Sequence, residues 1–281
     1  MKTLYVSDLD GTLLNSNTAL SDTTVKTINA LVEEGMEFTF ATARSITSAS
    51  LVSKGLHLRT PLIVYNGVYL LDPDSHEILY SHSFTKQDAQ DILNYLLRHD
   101  MIPFVYSYID GRERVSYMEE GMHEGGKYYM ESRPYDKRFR KVTATEQLLE
   151  GDVFYFTCIH DGSFLKPMYE YLEETTDYVI VFQQELYREE YWLEVMPRGV
   201  SKAQAILELK EKGGYDRVIS FGDAINDLPM FQISDECYAV ENAIEELKNA
   251  ATAVIGNHDA DAVAMWLKEN YQKKAGGSAS V

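Results

Sequence analysis

The residues that could do chemistry are carboxylates at the ends of short apolar runs. Asp8-Leu9-Asp10-Gly11-Thr12 sets two carboxylates two positions apart, with a glycine immediately after. In extended backbone alternate side chains share a face, so both can address one volume. Two like charges that close repel strongly unless a cation sits between them or one is protonated. The pair suits a hard divalent ion such as Mg²⁺, which takes a few carboxylates and keeps waters; taken alone, the run also suits a solvated turn. A calcium loop of EF-hand type is excluded, because counting from Asp8 the sixth position is Leu13 and the twelfth Ala19. Gly222-Asp223-Ala224-Ile225-Asn226-Asp227 repeats the theme far along the chain. Asp223 could complete a metal's ligand set and Asp227 could support it from behind, although the run alone also fits a helix N-cap.

Donor groups come from two other places. Thr42-Ala43-Arg44 offers a hydroxyl and a guanidinium, and Gly199-Val200-Ser201-Lys202 opens a helix with a lysine. A cation in a first helical turn opposes the helix dipole, so an anion should compensate it there, and a bound phosphate would. Read singly, Lys202 is equally a surface lysine with its ammonium in water.

The elements that must position these groups alternate in type. Leu4-Tyr5-Val6 is a buried-strand run, and Ser21 caps a helix with inner face Val25, Ile28, Leu31 and Val32, closed by Gly35. Strands follow at Phe38–Ala41 and Leu62–Tyr65, ending at Thr42 and at Asn66-Gly67. This rhythm predicts a doubly wound parallel sheet, whose ligands bind beyond the carboxyl ends of the strands. From about Phe84 the pattern becomes one helical stripe (Ala89 to Leu97), then strand pairs and two further helices up to Met196. Tight turns such as Asp110-Gly111 between consecutive strands point to an antiparallel sheet with helices on one face. The α/β rhythm resumes with a helix from Lys202 to about Lys212 and strands at Val218–Phe221, Tyr238–Val240 and Ala253–Ile255. Lys273–Val281 is small and polar and reads as a frayed end. The expected division is a catalytic α/β core of residues 1–83 and 193–281, interrupted by an α+β domain at 84–192.

Composition narrows the partners. The 281 residues carry a net charge of −18 with no Lys/Arg block, which disfavours nucleic acid and anionic lipid. No apolar run approaches the roughly 20 residues of a membrane span. Cys158 and Cys237 lie far apart, and seven scattered histidines give no zinc spacing. The expectation is a cytoplasmic protein, a monomer or weak homo-oligomer, with no nucleic-acid or membrane partner.

Asp8-Leu9-Asp10-Gly11-Thr12-Leu13, Thr42 before Arg44, Lys202 and Gly222-Asp223-x-x-Asn226-Asp227 together resemble the four motifs of the haloacid dehalogenase superfamily, in the order and spacing of its Cof-like branch. Asn66-Gly67, Ala239–Ala243 and Asn257-His258-Asp259 are similar to that branch as well. Ala43 departs from the glycine usual there, and Ala224 is a frequent variant. The resemblance implies a Rossmann-like core with an inserted type IIB cap, and a Mg²⁺-dependent phosphatase acting through a phospho-aspartate on Asp8. It further implies Asp10 as acid–base, and Mg²⁺ held by Asp8, the Asp10 main-chain carbonyl and Asp223, with Asp227 behind, steadying the metal's waters or Lys202. Phosphate would be bound by Thr42, Arg44, Lys202 and Asn226. The substrate would be a small phosphorylated metabolite: a sugar phosphate, or a nucleotide or cofactor phosphate such as FMN or pyridoxal phosphate. A phosphomutase and a silent phosphate-binding sensor are the alternatives. In the insert, Tyr106, Tyr108, Tyr117, Tyr128, Tyr129 and Tyr135 with Arg112, Arg114 and Arg133 could grip a substrate, or pack a small sheet. Gly125-Gly126 could be a flexible lid segment or an ordinary loop.

Overall fold

The computed structural model describes residues 1–184 and 188–276. In chain order the first segment forms β1 (Thr3–Ser7), α1 (Asp22–Glu33), β2 (Glu37–Phe40), α2 (Ile46–Val52), β3 (Leu62–Val64), β4 (Tyr69–Leu71) and β5 (Ile78–Ser81). The middle segment forms α3 (Lys86–Arg98), β6 (Phe104–Ile109), β7 (Arg112–Tyr117), α4 (Glu124–Glu131), β8 (Phe139–Lys141), β9 (Asp152–His160), α5 (Gly162–Thr175), β10 (Val179–Gln184) and β11 (Tyr191–Met196). The last segment forms α6 (Lys202–Gly213), β12 (Arg217–Gly222), α7 (Leu228–Gln232), β13 (Glu236–Ala239), α8 (Glu245–Ala250), β14 (Ala253–Val254) and α9 (Ala262–Gly276).

These elements gather into two compact units: Met1–Ser81 with the chain from Ser201, and the inserted His82–Val200. A boundary at residue 193 would cut β11. That strand pairs with β9 on one side and β10 on the other, so it belongs to the inserted sheet and the division falls after Val200.

The first unit is built on a five-stranded parallel sheet in the order β14-β13-β12-β1-β2. Its strands are near-continuous apolar runs because both faces are covered, and Leu4, Val6, Phe38, Phe40, Ile219 and Phe221 have no exposed surface. Helix α1 packs on α9, and α6 on α7. Winding runs outward from β1 through β2 and, after the insertion, from β12 through β13 to β14. The order therefore reverses between β1 and β12, and a crevice beyond the carboxyl ends opens at such a point. The third expected parallel strand takes another course. β3 meets β2 only through a parallel bridge at Ala41 and Ile63, then turns into the antiparallel ribbon β3-β4-β5, of which the sequence pattern showed β3 but not β4 and β5. Helix α9 reaches Gly276, past the point where the composition suggested fraying; residues 277–281 of that stretch lie outside the described residues.

The inserted unit carries a six-stranded sheet, β10-β11-β9-β6-β7-β8, antiparallel except for β7 with β8. Its core joins Ile92, Leu93 and Leu96 of α3 and Leu165 and Leu172 of α5 to Phe156, Cys158, Leu193 and Val195 of the sheet. Neighbouring positions on the strands face the other way. Against them lies α4, in the Gly/Tyr-rich stretch that carried no helical signal. Gly125 and Gly126 are buried within it: a Cβ on Gly125 would stand 2.8 Å from Ile159 Cγ2, and one on Gly126 2.9 Å from Met122 Cγ. They are close-packing glycines of a helix, and neither a lid nor a loop. Tyr106, Tyr117 and Tyr129 are buried, the hydroxyls of Tyr106 and Tyr129 being bonded at 2.7 Å, whereas Tyr128 and Tyr135 are exposed.

On the same face of β11 stands Glu194. Burial pushes its carboxyl up to about 7, against the pull of the Tyr155 hydroxyl. The folded chain therefore keeps a proton between about pH 4.5 and 7 that the unfolded chain has released, and stability falls as pH rises through that window. The loss should be roughly 3 kcal/mol. Glu194→Gln should abolish it, so that urea unfolding from pH 4.5 to 8 shows the variant gaining on the wild type only as pH rises. Parallel stability curves would contradict this assignment.

Candidate active site

Asp8 follows β1 directly and Asp223 follows β12, so the reversal of strand order places both acids at the same crevice. The backbone fixes Asp8 through its N–H, which donates to the Phe221 carbonyl at 2.9 Å. Its side chain is 5% exposed. Lys202, at the start of α6, is buried with it; Ser201 caps that helix by accepting from the Gln204 N–H. The Lys202 ammonium donates to Asp8 Oδ1 at 2.5 Å and to Asp227 Oδ1 at 2.7 Å. Asp227 has no exposed surface, and its other oxygen accepts the N–H groups of Asp223 and Ala224 at 3.0 and 3.1 Å. Asp223 Oδ1 accepts from the Thr12 hydroxyl at 2.7 Å.

Carboxylate oxygens of Asp8, Asp223 and Asp227 lie within 4.8 Å of one another. Burial pushes the Asp8 carboxyl up to about 8, with Asp227 and Asp223 adding to the push and Lys202 pulling against it. Burial likewise raises Asp223. Burial alone would lower Lys202; Asp8 and Asp227 reverse that and hold the ammonium above its ordinary value. One ammonium thus faces three carboxylates. One oxygen each of Asp8 and Asp223 has no hydrogen-bond partner among the described residues, whereas both oxygens of Asp227 are used. Such a donor set fits a small divalent cation, which Asp8 and Asp223 would hold, with Asp227 buttressing from behind.

The other expected residues are distributed less simply. Asp10 does not join the acidic group: its exposed carboxylate sits in the fork of Arg44, at 2.7 Å from Nε and 2.5 Å from Nη2. Arg44 also donates to Ser48 Oγ, so in this structure its guanidinium is engaged with protein. Thr42 is wholly buried, its hydroxyl accepting from the Arg44 N–H. Asn226 is exposed on the turn before α7 and makes no side-chain hydrogen bond among the described residues.

Several supports were not singled out as site residues. Thr12 orients Asp223. Asn242 donates to the Gly11 carbonyl, the His258 ring to the Leu14 carbonyl, and Asp259 accepts from the Ser16 N–H and hydroxyl. They lie in the segments whose only signal was the family resemblance. Gly11, at φ +74°, is required by the site itself, because a Cβ there would lie 2.4 Å from Asp223 Oδ2.

A second metal-type grouping, His123, His160 and Asp161, has the wrong polarity. Both Nδ1 atoms accept backbone N–H groups, from Gly125 and from Asp161, so each neutral ring carries its proton on Nε2. A metal-binding histidine does the opposite, donating from the nitrogen that does not ligate.

Comparison with known proteins agrees with this geometry. Residues 5–267 match the haloacid dehalogenase-like hydrolase family, and the chain belongs to it. It is similar to the 5-amino-6-(5-phospho-D-ribitylamino)uracil phosphatase YitU of Bacillus subtilis, at 23% identity over 95% of this chain and 97% of that one. Its identity to the pyridoxal phosphate phosphatase YbhA of Escherichia coli is also 23%, over 92% and 95% of the two chains. Among solved structures, TM0651 of Thermotoga maritima shares 27% identity with a TM-score of 0.77, covering 96% of this chain and 97% of that one.

Replacing Lys202 by Met would leave Asp8 and Asp227 buried without their counter-ion. Removing one partner of a buried pair costs about 3–5 kcal/mol, and urea unfolding in EDTA should show a loss of that size. Added Mg²⁺ should recover part of it. A variant as stable as the wild type in EDTA would mean that the ammonium is not what holds these carboxylates.

Proposed function

We infer that the chain is a phosphatase that removes phosphate from a small metabolite through an aspartyl-phosphate on Asp8, with Mg²⁺ as its cofactor. The observation that carries this reading is the Asp8 carboxylate: buried at the strand-order reversal, fixed through one oxygen by Lys202, and left with the other oxygen uncommitted.

The Asp8 carboxylate is the nucleophile. It bonds to phosphorus as the bond to the leaving alkoxide breaks, and Asp10 gives the alkoxide its proton. Asp10 then takes a proton from the water that attacks the aspartyl-phosphate, so that phosphate leaves and Asp8 is restored. For this Asp10 must part from the Arg44 fork that holds it here. Lys202 and the Thr42 loop provide donors for the phosphoryl oxygens, Asn226 stands at the exposed rim, and Arg44 becomes available to the substrate as it releases Asp10. Mg²⁺, held by Asp8, the Asp10 main-chain carbonyl and Asp223, would neutralise charge and align carboxylate with phosphate.

Substrate selection is assigned to the inserted unit, where Tyr135 is exposed, Arg188 lies over the exposed Tyr128 ring, and Arg133 lies over the Tyr129 ring, so that a substrate ring or second anionic group would meet aromatics already paired with cations. A sugar phosphate, or the phosphate of a flavin-precursor or pyridoxal compound, as the names of the two relatives suggest, is the class to test first. Among the described residues no helix is long and apolar enough to cross a membrane, and both cysteines are free and buried. A cytoplasmic, monomeric or weakly oligomeric enzyme is the working picture.

The test is phosphate release from a panel of phosphorylated sugars, nucleotides and cofactors, each with Mg²⁺ and with EDTA. Wild type should release phosphate only with metal. Asp8→Asn should fold but fall by at least about 10⁴-fold, because the amide is a poor nucleophile. Turnover by Asp8→Asn near the wild-type rate would sink the mechanism, and an isomeric phosphate as product would make the enzyme a mutase.

A further inference from the structure

Three consecutive residues beyond β3 take left-handed backbone: Tyr65 at φ 49°, Asn66 at 53° and Gly67 at 102°. For a tyrosine this is an uncommon and strained conformation, which persists only where the surroundings enforce it. Here the backbone contacts on either side lead to the groups assigned to the phosphate site. The Tyr65 N–H donates to the Arg44 carbonyl and the Asn66 N–H to the Thr42 carbonyl, each at 2.9 Å. On the other side Gly67 presses against the start of α6: a Cβ there would lie 2.3 Å from the Ser201 carbonyl oxygen and 3.2 Å from Ala205 Cβ. Ser201 is the residue before Lys202. The Asn66 amide adds nothing to this hold, since its buried Oδ1 meets no hydrogen-bond partner among the described residues. Backbone alone makes the connection.

We propose that the turn Tyr65–Gly67 is a positioning element of the phosphate site, a rigid spacer that fixes Lys202 relative to the Thr42–Arg44 loop. It reaches one group through two backbone hydrogen bonds and the other through van der Waals contact that only a glycine permits. The inference deepens the phosphatase reading and rests on it for its kinetic readout. Thr42 and Lys202 come from segments 160 residues apart, and the turn touches both segments directly.

The experiment compares Gly67→Ala, Asn66→Ala and Asn66→Gly with a control, His76→Ala. His76 is also left-handed, at φ 57°, but it sits in the turn between β4 and β5. Misplacing a catalytic group by about 1 Å typically costs about a hundredfold in rate, and Gly67→Ala should lose kcat on that scale. His76→Ala, destabilised through the same kind of backbone strain, should keep its kcat within about twofold of wild type. Asn66→Ala should lose kcat, and Asn66→Gly, which accepts the left-handed conformation without strain, should recover at least about tenfold of that loss. A crystal structure of Gly67→Ala, with no substrate needed, should show Lys202 Nζ displaced from Asp8 by more than about 0.5 Å. A folded Gly67→Ala with wild-type kcat or an unmoved Lys202 would overturn the proposal. So would Asn66→Gly as impaired as Asn66→Ala, which would give the role to the amide. If Gly67→Ala does not fold, the Asn66 pair decides. If the wild type releases no phosphate from any compound, the functional reading fails, and the position of Lys202 alone decides the spacer.

Discussion

One buried ammonium organises this molecule. Lys202 enters the interior at the first turn of a helix, where the dipole opposes it, and only the two carboxylates it touches make that tolerable. Asp8 and Asp227 in turn come from opposite ends of the chain. Charge therefore joins what the sheet brings near: β1 supplies one acid, the turn after β12 supplies the other, and α6 supplies the base between them. The arrangement remains short of positive charge, which is why Asp8 is pushed up by burial and why the site suits a further cation. Membership of the haloacid dehalogenase-like hydrolases gives this electrostatic knot its chemical sense.

Around the knot the fold is arranged to prevent drift. The loop after β1 is tied down at Gly11, Leu14 and Ser16 by Asn242, His258 and Asp259. Gly11 brings its backbone against the Asp223 carboxylate, which Thr12 holds in place. The exception is the ion pair of Asp10 with Arg44, in which the carboxylate is exposed and the guanidinium half-buried. Asp8, Asp227 and Lys202 are buried and bonded to one another, whereas the Asp10 carboxylate stands exposed with Arg44 as its partner.

Much of this was legible in the sequence because parallel strands advertise themselves. Runs such as Leu4–Val6 and Val218–Phe221 are apolar throughout, and the polar residue that ends each run marks the crevice. Lys202 was harder, because a lone lysine at a helix start has the same pattern whether it points to water or to a buried aspartate. The structure decides that by tertiary contact. The burial of Asp227 was similarly hidden: its two N–H bonds are local, but its pairing with Lys202 is not. Helix α4 was missed for a different reason. Two adjacent glycines argue against a helix by propensity, and here they serve packing, since a larger residue would strike Ile159 or Met122. Strands β4 and β5 escaped because they are three and four residues long, too short for a period to show.

The order of the strands has a consequence for how the chain is made. β1 leaves the ribosome ahead of the insertion, yet its neighbour β12, which pairs Arg217 with Thr3, arrives only after the whole insertion has been synthesised. The inserted unit, by contrast, is one contiguous stretch whose six strands find all their partners within it. Synthesis therefore delivers a complete second unit while the first still has an open edge at its central strand. During that interval β1 is an unpaired apolar strand on one side. Asp8, standing at its end, meets its ammonium only when α6 emerges, so the nascent first unit has neither a closed sheet nor a paired Asp8 until the chain has been made beyond the insertion.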